Sequence, residues 1–288
     1  MLQSSLEFLK CVRCGAKLDL DVFESDKEII EGMMQCKKCK LEFPIIQKIP
    51  VLWDDFSKYL SSRRILGGKL YKLTHSSKLK SFVKKSLNKK DNDRSHLEEK
   101  WARIYQNSKT SKFYGVIKKN LDSIPSSKLV LEHGCSIGIM TNHLANSNGL
   151  IFGVDRSFSA IQVAKKQFKD NLDYFVADSL SPVFGKLQFD LVLALNVLEM
   201  IEPKVLLKSI SKQISKGYFV ISDPYDFDRG PNSVKNPVDA SSLRTNLSDL
   251  GFKISNLTKN PSFIPWNLKL NPRATLNYKV DFIIAQKP

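Results

Sequence analysis

The chain has 288 residues, five cysteines and a formal net charge of +16, enough length for a small domain beside a larger one with a full core. No run approaches the ~18 apolar residues that mark a membrane-spanning helix, and the opening MLQSSLEFLK lacks the charged-then-apolar order of a secretory signal, which predicts a cytoplasmic protein. The cysteine count is odd and four cysteines sit in Cys-x-x-Cys steps, so a disulfide framework is disfavoured and a metal site in a reducing compartment is expected.

In chain order, residues 1–56 read as a zinc ribbon. Cys11-Val12-Arg13-Cys14 and Cys36-Lys37-Lys38-Cys39 form two tight knuckles. Each knuckle can turn two thiolates toward one ion, and two of them complete a tetrahedral site. Such a closed site leaves no coordination position for substrate, so the expected zinc is structural. Redox chemistry at either pair would need a thioredoxin-like setting. The ribbon ends in FPIIQKIPVLW, strand-like and punctuated by proline.

Residues 57–94 form a basic linker or lid. From Ser57 to Lys90 there is no Asp or Glu, while Lys and Arg recur from Lys58 onward. Leu66, Leu70 and Leu73, then Leu79, Phe82, Val83 and Leu87, fall at helical spacing, which predicts one or two amphipathic basic helices. Residues 58–90 could therefore grip RNA phosphates, rest on an anionic membrane surface, or stay solvated.

Residues 95–288 form the larger domain. SHLEEKWARIYQN reads as a helix with acidic residues early and Arg103 late, as the helix dipole favours. From Lys128, short apolar strands alternate with helical segments, which predicts a doubly wound, mostly parallel α/β sheet. At the end, FKISNLT and YKVDFIIAQK follow the last helix and can pair as an antiparallel hairpin, with Asn260 to Asn277 between them expected as a lid.

The first of these strands runs into Glu132-His133-Gly134-Cys135-Ser136-Ile137-Gly138, with a helix just after it. Small residues let the backbone approach a bulky cofactor, and the helix start offers N–H groups. The second strand, LIFGVD, ends in Asp155, where a carboxylate can accept from two ribose hydroxyls. The third, LDYFVAD, ends in Asp178, placed to accept from an adenine amino group. Gly134, Ser136 and Ile139 occupy the positions where a dinucleotide fingerprint wants glycine, so that alternative fits poorly.

With these motifs in view, residues 128–286 resemble the class I S-adenosylmethionine-dependent methyltransferases, particularly the type 11 group. LEHGCSIG, GVD, VADS and FDLVLALNVLEMIEP carry the resemblance. It implies a Rossmann-like seven-stranded sheet and S-adenosyl-L-methionine as cofactor. Glu132, Gly134 and Gly138 would then flank its methionine part, with Ser136 standing for the usual middle glycine. Asp155 would meet the ribose, Asp178 the adenine, and Asn196 would lie beside the sulfonium. The knuckles together with Phe43-Pro44-Ile45 and Ile49-Pro50-Val51-Leu52 resemble the small zinc-ribbon proteins that activate RNA and translation-factor methyltransferases. That resemblance implies a ribbon whose partner is the fused C-terminal domain.

In open α/β sheets ligands lie beyond the carboxyl ends of the strands, so the loop after GYFVISD is expected to face the acceptor. Asp223 there is the candidate general base, or else a residue that caps local N–H groups. His133, His143 and Cys135 are read as structural. The function expected is methyl transfer to a small molecule, RNA or protein. The alternative is a non-catalytic cofactor-binding scaffold or a methyltransferase-regulating protein.

Overall fold

The computed structural model describes residues 1–87, 93–228, 230 and 233–288. In chain order it forms strands β1 (Asp19–Ser25), β2 (Ile29–Gln35), β3 (Glu42–Ile46) and β4 (Ile49–Leu52), then helices α1 (Phe56–Ser61), α2 (Arg64–Leu73), α3 (Ser77–Lys85), α4 (Ser95–Asn107) and α5 (Lys112–Leu121). There follow β5 (Leu129–His133), α6 (Ile139–Leu144), β6 (Leu150–Asp155), α7 (Phe158–Ala164), β7 (Leu172–Ala177) and β8 (Leu191–Leu195). The chain closes with α8 (Pro203–Gln213), β9 (Gly217–Asp223), α9 (Ala240–Asp249), β10 (Lys253–Ile254), β11 (Ile264–Asn271) and β12 (Ala274–Lys287). The strand–helix alternation predicted from Lys128 onward is present.

Two compact units are built from these elements, one of Met1–Arg103, Ser136–Gly138 and Val154–Gly185, the other of Ile104–Cys135, Ile139–Gly153 and Lys186–Pro288. In the first unit the strands run β1-β2-β3-β4-β7. β1 to β4 pair antiparallel, and Gln47 and Lys48, both at positive φ (52° and 67°), close the β3–β4 hairpin in a turn whose twist suits the flanking strands. β4 then pairs parallel to β7, with Val51 opposite Val176 and Leu52 opposite Ala177. Ile49, Val51 and Leu52 are wholly buried, which is why IPVL is apolar at consecutive rather than alternate positions.

A polar cluster ties the same elements together. Lys165 donates to Glu28 and, at 2.7 Å, to Asp173, while Leu2 N and Ser5 Oγ each donate to the second Asp173 oxygen at 2.8 Å. Burial by itself would raise both carboxyls. Lys165 outweighs it and holds Asp173 and Glu28 below the usual carboxylate range.

The basic segment folds as three helices where one or two were expected. Asp55 accepts from Lys58 N and Ser76 from Leu79 N, so a cap starts α1 and another starts α3. Leu66, Leu70, Leu79 and Val83 are buried as the spacing predicted, whereas Leu73 and Leu87 are exposed. Lys89 and Lys90 lie outside the described residues.

In the second unit the order is β5-β8-β9-β12-β10. β5, β8 and β9 are mutually parallel, β12 runs antiparallel to β9, and β10 pairs antiparallel with β12. The expected terminal hairpin has more strand than the sequence suggested. Within Asn260 to Asn277, read as a lid, β11 pairs along β12 from Ile264 opposite Val280 to Asn271 opposite Ala274. The alternation of Trp266 and Leu268 with the exposed Pro265, Asn267 and Lys269 drives this, since both are buried on one side of the strand. Trp266 packs among Phe113, Tyr278 and Tyr105, with ring centroids 5.2, 5.8 and 6.1 Å away. Among the described residues no helix is long and apolar enough to cross a membrane.

Candidate functional site

The four knuckle cysteines converge. Cys11, Cys14, Cys36 and Cys39 place their sulfurs within 4.8 Å of one another, with Cys11–Cys39, Cys14–Cys36 and Cys14–Cys39 at 3.2, 3.4 and 3.7 Å. A tetrahedron of thiolates around zinc at about 2.3 Å has edges of about 3.8 Å, so the set fits one ion with small adjustments. The two knuckles are built alike. Gly15 N donates to Cys11 O and Cys11 N to Ala16 O, and Lys40 N donates to Cys36 O and Cys36 N to Leu41 O. Each turn needs a left-handed residue, supplied by Gly15 (φ 70°) in one and Lys40 (φ 57°) in the other.

In the first compact unit, the end of the glycine loop meets the end of β6. Ser136 holds φ 49° without being glycine, and its N–H donates to Asp155 Oδ2 at 2.9 Å. Ser157 N donates to the other Asp155 oxygen at 2.8 Å. Burial raises the Asp155 pKa above the ordinary carboxylate value, and these two N–H groups oppose the rise. Gly138, at φ 76°, admits no side chain, because a Cβ there would lie 2.3 Å from the Tyr174 hydroxyl oxygen and 2.9 Å from Ala164 Cβ. Asp178 follows β7, and its Oδ1 accepts from Leu180 N at 2.8 Å.

Three residues at this site carry no site assignment from sequence: Arg63 and Glu98 count there only as part of the basic and acidic patterns, and Tyr59 only as an aromatic residue of the basic segment. Tyr59 on α1 is buried and donates its hydroxyl to Arg156 O at 3.1 Å, one residue beyond Asp155. The Arg63 guanidinium lies 4.2 Å from the Tyr59 ring centroid and is held by Glu98, with Arg63 Nη2 to Glu98 Oε1 at 2.7 Å. Arg63 is therefore a buried structural cation and not one of the solvated charges of its segment. No local sequence signal distinguishes it from Arg64, because the distinction depends on Glu98, which is remote in the chain.

In the second unit, Gly134 (φ 65°) has no room for a Cβ, which would sit 2.3 Å from Val197 Cγ1. Glu132 is buried at the end of β5. Asn196 follows β8 at φ 55°. Its N–H donates to Ser222 O at 2.7 Å, and Ser222 Oγ donates to Asn196 Oδ1 at 2.9 Å. Asp223 is wholly buried at the end of β9, where Oδ2 accepts from Leu198 N at 3.1 Å and Oδ1 from Tyr225 N at 2.8 Å. Both Asp223 oxygens thus accept from backbone N–H groups. His133 pairs with Gln213 at 2.8 Å and His143 with Asp122 at 2.6 Å, both in keeping with structural roles.

A family model described as a methyltransferase domain matches residues 131–221, and one described as Trm112p-like protein matches residues 5–47. Among solved structures, a chain from the complex between the Haloferax volcanii Trm112 methyltransferase activator and a putative methyltransferase is 16% identical, with TM-score 0.54, covering 67% of this chain and 97% of that one. Magnesium protoporphyrin IX methyltransferase from Synechocystis PCC 6803, with bound SAH, is 17% identical, with TM-score 0.51, covering 68% and 95%. TehB from Haemophilus influenzae is 14% identical, with TM-score 0.50, covering 66% and 67%. At these identities the likeness is one of fold. No curated protein matches the chain by sequence. The chain carries a methyltransferase domain and a Trm112p-like zinc ribbon in one polypeptide, on a Rossmann-like mixed α/β framework.

Proposed function

We propose that this chain, a methyltransferase by its 131–221 domain, transfers a methyl group from S-adenosyl-L-methionine to an acceptor, with zinc as a structural ion in the ribbon. The observation that carries the reading is the Ser136–Asp155 contact. It needs a left-handed backbone at a non-glycine residue, a strained choice of the kind that clusters at ligand sites. With Ser157 N on the second oxygen, both Asp155 oxygens are fixed and each keeps lone-pair capacity for a ribose hydroxyl.

When bound, the cofactor supplies an electrophilic methyl on a sulfonium. Asp178 is assigned to the adenine amino group, and Glu132, Gly134, Ser136 and Gly138 to the methionine part. Asn196, oriented by Ser222, is assigned to the neighbourhood of the sulfonium. Asp223 is assigned to holding the loop after β8 through Leu198 N. Acting as a base would require it to take up a proton while wholly buried and engaged by two N–H donors. Alignment of nucleophile and methyl can carry the reaction without such a base.

The fusion of ribbon and enzyme domain supports activation in cis, the ribbon strand β4 being paired to β7. The exposed Lys58, Arg64, Lys72, Lys84 and Lys85 on α1 to α3 support contact with an anionic acceptor or surface. The test is calorimetric titration with S-adenosylmethionine. Wild type is expected to bind, and Asp155→Ala to lose affinity by roughly 10- to 100-fold, since two hydrogen bonds to a charged acceptor vanish. Unchanged binding in the variant would overturn the assignment. Labelled cofactor incubated with separated RNA, protein, lipid and small-molecule fractions then identifies the acceptor class. If Lys84→Glu with Lys85→Glu leaves RNA affinity and its salt slope unaltered, RNA contact through α3 is excluded.

A further inference from the structure

β4 joins β7 in parallel, so its carboxyl end points the same way as the carboxyl ends that present the binding loops. An antiparallel addition would have turned that end away. The register places Val51 beside Val176 and Leu52 beside Ala177, and the residues that follow this last pair are Trp53 after β4 and Asp178 after β7. β4 up to Leu52 is buried, and Trp53 is the half-buried residue at which that burial ends.

The indole packs on an aromatic neighbour. Its ring centroid lies 5.1 Å from that of Tyr59, at 47° between planes. Tyr59 is pinned by its bond to Arg156 O and by the Arg63 guanidinium, which Glu98 holds in turn. A large aromatic side chain thus follows the strand residue paired with Ala177, one residue before Asp178, and packs on the tyrosine that binds the residue after Asp155. We propose that Trp53 is a cofactor-binding residue that packs against the adenine ring, which makes the zinc ribbon a contributor to the cofactor site and not only a support for it. This rests on the reading that the cofactor carries an adenosine held by Asp155 and Asp178.

Aromatic contacts to a base are worth enough that truncation is felt as a change of about tenfold or more in affinity. The experiment titrates the full chain with S-adenosylhomocysteine and with 5′-methylthioadenosine, which lacks the amino-acid part. Trp53→Ala is expected to weaken both by about tenfold or more and Trp53→Phe by only a few-fold, with zinc content unchanged. Equal weakening of both ligands locates the contact at the adenosine half. If Trp53→Ala binds like wild type while Asp155→Ala does not, Trp53 is excluded and the cofactor reading stands. If wild type binds neither ligand, the cofactor reading fails and this proposal with it.

Should Trp53→Ala fail to fold, 19F spectra of 5-fluorotryptophan-labelled protein decide. Trp53→Phe assigns one of the three tryptophan resonances, and that resonance is expected to move on saturation with 5′-methylthioadenosine. A stationary resonance would overturn the proposal.

Discussion

At the scale of single residues, the glycine loop shows how a short sequence pattern encodes geometry. Gly134 and Gly138 are required because a Cβ would collide with Val197 or Tyr174. Ser136 departs from the expected glycine and retains the left-handed backbone at φ 49°. Ser136→Gly is therefore expected to raise stability by up to about 1 kcal/mol, the relief of strain being partly offset by a freer unfolded chain. Thermal melting measures this, and a drop in melting temperature would show that the serine side chain contributes more than its backbone costs. Asp155 gives a pH prediction. Burial raises its pKa in the protein, and the ionised form is the better acceptor for hydroxyls. Cofactor affinity should fall on acidification, and should do so at pH values above the ordinary carboxylate range near 3.9. Titrations across that range check it, and Asp155→Asn should remove the dependence. Both acids were legible in the sequence as strand ends. The burial of Asp223 was not, because the N–H donors that occupy its carboxylate come from a short 3-10 turn after β8 and from the loop after β9, whose paths no local pattern fixes.

At the scale of elements, the ribbon gathers four cysteines at one point and pairs through β4 with β7. About 50 residues seldom bury enough surface to fold unaided, so removing zinc should unfold the ribbon hairpins. Purified protein is expected to carry about one zinc per chain. Cys14→Ser should lower the metal content and the melting temperature together, measured by metal analysis and circular dichroism. A variant that loses zinc without loss of stability would contradict a structural role. The hub on α9 is a second element-level device. Arg244 reaches both oxygens of Asp281, at 2.6 and 3.2 Å, and the carbonyls of Thr258, Lys259 and Asn260. It thereby fastens the segment that leads into β11. Arg244→Ala strands a largely buried carboxylate, and a loss of about 3 kcal/mol in denaturant unfolding is expected. The helical spacing of the basic segment was readable in advance. Its division into three helices depended on caps at Asp55 and Ser76 and on packing that spacing alone does not show.

At the scale of the whole molecule, the compact units are not successive stretches of chain. Residues Val154–Gly185 belong with Met1–Arg103, because β7 takes β4 as its neighbour. A chain begun at residue 95 would keep the entire glycine loop yet leave the β7 edge uncovered, and uncovered edges promote aggregation. Residues 95–288 produced alone should be poorly soluble, and residues 1–94 supplied in trans should rescue them, as size-exclusion chromatography would report. A soluble, cofactor-binding 95–288 fragment would refute this. Acid stability follows from the same junction. The pKa values of Asp173 and Glu28 are depressed in the folded protein, so their stabilisation is present above their unfolded values near 4 and is lost as pH falls below them. Melting temperature should decline steeply there, less so in Asp173→Asn.

The sequence by itself determined the paired cysteine knuckles, the glycine loop, the acids at the strand ends and the α/β class, because each is a property of neighbours along the chain or of a repeating period. Only the tertiary structure decided that β4 lies parallel to β7, that Tyr59 and Arg63 gather at Asp155, that Asp223 is buried with two N–H groups on its carboxylate and that β11 is a strand. Those outcomes depend on strand register and on contacts between residues far apart in sequence, where no local propensity selects among the alternatives.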